Sequence, residues 1–96
     1  MSTWKDNERR VARRLHGARV PVADKRSGAD VVNERLAIEC KHRKQLPNWL
    51  HSAMSQAVKA ARGEQLPIVV LHELNKRSDN DYVFLRLADF ERLLMS

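Results

Sequence analysis

One cysteine in 96 residues, Cys40, leaves no partner for an intrachain disulfide and no thiolate set for a zinc site. Aromatic residues make up only 5% of the chain, so base stacking is not expected to be its main mode of binding. No apolar run approaches the roughly 20 residues of a membrane span, and the charged start through Lys5 and Asp6 predicts no signal peptide. A cytosolic or nucleoid-associated protein of a reducing compartment is therefore expected. The histidines His16, His42, His51 and His72 are scattered without metal-ligand spacing. Acids are scarce as well: 12 Asp and Glu stand against 18 Lys and Arg, a net charge of +6. That balance favours an anionic partner, the alternative being a merely soluble basic surface.

The length predicts one domain, residues 1–96, burying roughly 60–65% of its unfolded surface. Repeats, low-complexity tracts and linkers are absent. Residues 3–16 read as a helix whose apolar face holds Trp4, Val11, Ala12 and Leu15, with Gly17 as its stop. Residues 18–22 read as a short strand that Pro21 confines to an edge, and 24–28 as a basic loop. Pro47 opens a second helix, 48–62, closed by Gly63, with Leu50, Ala53, Met54, Ala57, Val58 and Ala61 as its buried stripe. The apolar run 67–71 suggests a central strand, 82–87 a last strand, and Asp89 the cap of a short helix over 90–95. The order α-β-β-β-α-β-β-α predicts a small α/β sheet flanked by helices.

The richest stretch is 29–41, which reads as a β-hairpin turning at Asn33-Glu34. Val32 would then face Arg35, Val31 would face Leu36, and Asp30 would face Ala37. Alternation gathers Ala37, Glu39 and Lys41 on one face, with Asp30 joining them across the ladder. The opposite face collects Ala29, Val31, Leu36, Ile38 and Cys40 as a core surface. Asp30 and Glu39 are hard oxygen ligands roughly 7–8 Å apart at the backbone, close enough for one cation to lie between them. Magnesium suits so open a site, since it keeps waters and takes one or two carboxylates. Lys41, roughly 6.5–7 Å beyond Glu39 on the same face, could orient a water or stabilise charge on phosphorus. Two acids and a lysine in this arrangement are a minimal set for metal-assisted phosphodiester hydrolysis. The competing reading is a hairpin whose charged face is simply solvated.

Gly28-Ala29-Asp30 followed by Ile38-Glu39-Cys40-Lys41 resembles the PD-(D/E)XK nucleases, and the resemblance extends over most of the chain. Lys5 and Glu8-Arg9 near the start look most like the small archaeal and phage type of Holliday junction resolvase. The resemblance implies a restriction-endonuclease-like core with a small mixed β-sheet. It also implies Mg2+ as cofactor, with Mn2+ able to substitute and no small-molecule cofactor. Asp30, Glu39, the backbone carbonyl of Cys40 and Glu8 would bind the metal, and Lys41 would assist the water. Ala29 departs from the proline or small polar residue that often precedes the aspartate. Gln56, on the second helix, matches a glutamine that related nucleases turn toward the site or DNA; a solvated helix glutamine is the alternative. Glu8 also draws attention by periodicity, since it falls on the buried face of the first helix and needs a metal or a partner such as Lys5 or Arg9.

Arg9, Arg10, Arg13 and Arg14 can form a ridge, continued by Arg19, Lys25 and Arg26 and by His42, Arg43 and Lys44, to grip phosphates. The expected partner is branched DNA, a four-way junction, with no membrane involved. Two symmetric cuts would require a two-fold homodimer, for which Trp49, Leu50 and the strand 82–87 are interface candidates. Trp49 is equally well a core anchor. Other readings are a nuclease for flaps, nicks or single strands, and a non-catalytic basic DNA-binding module.

Overall fold

The computed structural model describes residues 3–20 and 29–95. Among them the chain forms three helices and two small antiparallel sheets, in the order α1 (Trp4–Arg14), β1 (Ala18–Arg19), β2 (Val31–Val32), β3 (Ala37–Ile38), α2 (Asn48–Ala60), β4 (Val69–Leu71), β5 (Tyr82–Phe84) and α3 (Leu87–Met95). The order of elements is the expected one. The sheet is not: β1-β2-β3 make one antiparallel sheet and β4-β5 a separate two-stranded one, and neither is mixed. The chain divides into two compact units, Met1–Lys44 and Gln45–Ser96.

In the first unit, α1 begins at a capping box. The Thr3 hydroxyl accepts from the Asp6 amide, and the Asp6 carboxylate accepts from the Thr3 amide. The helix lies over β1 and β2 and buries Glu8, Ala12 and the following Leu15, while Trp4 remains exposed. The chain leaves α1 through His16, which takes the left-handed conformation expected of Gly17. Gly17 serves another need: a Cβ there would lie 2.8 Å from the Val32 carbonyl oxygen and 2.9 Å from Val31 Cγ1. The absent side chain lets the helix exit press directly onto β2.

The β2–β3 hairpin pairs Val31 with Ile38 and Val32 with Ala37, two positions away from the expected register. Its turn is Glu34-Arg35, and Asn33 stands just before it. The Asn33 Oδ1 accepts from the amides of Arg35 and Leu36, both at 2.8 Å, and its Nδ2 donates to the Leu15 carbonyl at 2.8 Å. An asparagine flanking the turn thus satisfies three backbone groups, which it could not do from inside the turn. A slip of two preserves which residues share a face, whereas a slip of one would have inverted them.

In the second unit, α2 runs from its N-cap Pro47 and buries Met54, with Leu50, Ala53, Ala57 and Ala61 half-buried and Val58 exposed. Gly63 takes positive φ just beyond the helix end. β4 packs against α2 but has only β5 beside it, so Val70 is 56% exposed instead of buried on both faces. α3 begins at Leu87, earlier than expected, which puts Asp89 inside the helix rather than at its cap. There it is buried and accepts from Arg86 Nε at 3.1 Å. No helix among the described residues is long and apolar enough to cross a membrane.

Candidate metal and phosphate site

β3 and the residues after it alternate as an edge strand should: Ala37, Glu39 and Lys41 are exposed, while Leu36, Ile38 and Cys40 are half-buried. Lys41 Nζ stands 3.6 Å from Glu39 Oε1, so these two side chains do share a side. Both are more than half exposed, and the pair contributes little to stability.

Asp30 departs from the open, solvated position expected of it, being only 5% exposed. β2 is the middle strand and lies under α1, so Ala29, Asp30 and Val31 are buried in succession. Hydrogen bonds to described residues on or just after both neighbouring strands help fix the residue. Its amide donates to the Ile38 carbonyl, its carbonyl accepts from the Val20 amide, and its Oδ2 accepts from the Cys40 amide, each at 2.8 Å. The last contact sets the carboxylate against the Glu39–Cys40 peptide, between the two residues whose side chains point outward. It also supplies the acceptor with the donor that burial demands.

Glu8 is 4% exposed on the inner face of α1, as periodicity indicated. Arg19 Nε, on β1, donates to Glu8 Oε1 at 2.8 Å. The Arg19 guanidinium also lies 5.6 Å from the centroid of the Trp4 ring, within cation–π range. Arg19 is the residue that sequence reasoning undervalued, having been counted only among the phosphate-binding cations. A basic residue on the first strand after a helix with an inward glutamate was the available signal.

Arg9, Arg10, Arg13 and Arg14 are all exposed and span roughly 140° of the helix circumference, on the side away from Glu8, Ala12 and Leu15. Arg9 pairs with Asp6 at 3.2 Å and Arg10 with Asn7, both within the helix. The ridge exists, but it crowns the outer face of α1 rather than adjoining Glu8. His42, Arg43 and Lys44 follow β3 as an exposed basic run. Lys25 and Arg26 lie outside the described residues. Gln56 is exposed on α2 in the second unit.

Asp30, Glu39 and the Cys40 carbonyl offer only hard oxygen donors, the set that magnesium or manganese prefers. Among the described residues no group of three His, Cys, Asp or Glu side chains is assembled to hold a metal. Magnesium accepts such a set because water completes its shell. No family model, curated protein or solved structure matches the chain.

Proposed function

We propose that this protein is a magnesium-dependent endonuclease of the PD-(D/E)XK type, acting as a homodimer on branched DNA and resolving four-way junctions in the cytoplasm. The observation that carries the reading is the Asp30 carboxylate bonded to the Cys40 amide, with Glu39 and Lys41 leaving the strand on either side of it. Asp30 and Glu39, with the Cys40 carbonyl, would hold the ion. When bound, it neutralises charge on the scissile phosphate and acidifies water. Lys41, now paired with Glu39, would turn its ammonium to the phosphate oxygens as charge develops there. The exposed arginines of α1 and the run 42–44 would bind flanking phosphates without reading sequence. A restriction-endonuclease-like core belongs to the same proposal, supported by the order of elements and by the helix lying over the first sheet.

The test is cleavage of four-way junction, flap, single-stranded and linear DNA with and without magnesium, using Glu39→Gln as control. Paired symmetric nicks near the branch point, lost in the variant, are expected. Cleavage by the variant at the wild-type rate would reject the site.

A second reading, a non-catalytic DNA-binding module, is favoured by one feature: Glu8 is taken up by Arg19, and Glu39 already contacts Lys41. It predicts junction binding that is indifferent to magnesium and no cleavage of any substrate.

A further inference from the structure

We propose that Glu8 and Arg19 form a buried positioning pair that fastens α1 to the sheet carrying Asp30, and that Glu8 is not a ligand of the divalent ion. This rests on the nuclease reading of Asp30 and Glu39 and narrows it.

The pair is non-local, joining residues 11 apart in sequence and two different elements. Glu8 contributes a side chain only 5% exposed and Arg19 one that is 21% exposed. Arg19 is held in place independently. Its strand position pairs with Val31, the residue after Asp30, and its guanidinium packs on Trp4. The next residue, Val20, donates its amide to the Asp30 carbonyl at 2.8 Å. Whatever holds Arg19 to Glu8 therefore also holds α1 against the strand that flanks Asp30. That is the action of a positioning residue.

The same contacts oppose a metal at Glu8. A dication bound there would have to displace a charge-assisted hydrogen bond in a mostly buried setting, leaving the guanidinium without its counter-charge. Arg19 Nη2 is itself buried without a hydrogen-bond partner among the described residues, so part of its donor capacity is already unspent. The ion would face that positive charge at close range, and magnesium gives up its hydration water reluctantly.

The experiment compares Glu8→Gln, Arg19→Met, the double variant and Glu39→Gln, each full length, by thermal melting and by calorimetric titration with MnCl2 below the melting transition. Glutamine keeps an acceptor for Arg19, so Glu8→Gln is expected to fold. It and Arg19→Met should each lower the melting temperature by roughly 10 °C, and the double variant should lose much less than their sum. Manganese affinity should stay within about threefold of wild type in Glu8→Gln and in Arg19→Met, and fall at least tenfold in Glu39→Gln. A tenfold loss in folded Glu8→Gln, or a gain of that size in Arg19→Met, would overturn the inference, as would unchanged or additive melting. Should the wild-type chain bind no manganese, the nuclease reading fails, and the pair is judged on the melting cycle alone.

Discussion

Asp30 occupies a place where an acceptor is needed whatever its charge, because the Cys40 amide points into a nearly closed space. Asparagine supplies that acceptor without the charge. Asp30→Asn is therefore expected to reduce magnesium-dependent cleavage by at least a hundredfold while junction affinity holds or rises. A gel-based cleavage assay beside a binding assay checks this; retained cleavage would remove Asp30 from the chemistry. Asp6 poses a different question at the same scale. Hydrogen bonds from the Thr3 backbone, then from its hydroxyl, hold Asp6 below its ordinary value of 3.8, with Arg9 adding to the effect. A carboxylate depressed on folding contributes stability that is complete above the unfolded value and fades as pH falls through the folded one. Helical circular dichroism of the wild type should therefore fall on acidification below about pH 4. Asp6→Asn should start lower and show less of that acid-dependent loss.

At the scale of elements, the hairpin and the exit of α1 are held by small groups doing several things at once. Asn33 closes the β2–β3 turn and also reaches the last carbonyl of the α1 region, Leu15, so one side chain ties the helix end to the hairpin. Asn33→Ala leaves those backbone groups unmatched and should cost about 2 kcal/mol, read as a lower urea midpoint at unchanged slope. Gly17→Ala adds a methyl group where backbone and Val31 already fill the space, and about 1–3 kcal/mol should be lost. The same urea titration reports it, and a neutral result would mean the strand can retreat. The periodicities of α1, α2 and β3 were legible because burial follows a repeat of 3.6 or 2. The hairpin register was not, because turn propensity alone favoured Asn33 within the turn and took no account of Leu15.

For the whole molecule, charge is the property that composition announces and the fold distributes. Arg13 and Arg14 are exposed on the outer face of α1. Replacing both with alanine should weaken junction binding and reduce the slope of log affinity against log salt by about 1–2. An unaltered slope would mean that DNA approaches another surface. The dimer proposed for symmetric cutting is a property of this scale too, and sedimentation at micromolar concentration measures it directly.

Composition, alternation and helical repeat were sufficient for the order of elements, the shared side of Glu39 and Lys41, and the inward aspect of Glu8, since each depends on neighbours along the chain. Tertiary structure alone decided that Asp30 is buried, that Arg19 is Glu8's partner, and that the strands divide into two antiparallel sheets. Those outcomes turn on which distant segment fills a given space and meets a given hydrogen-bonding group, and local periodicity carries no term for either.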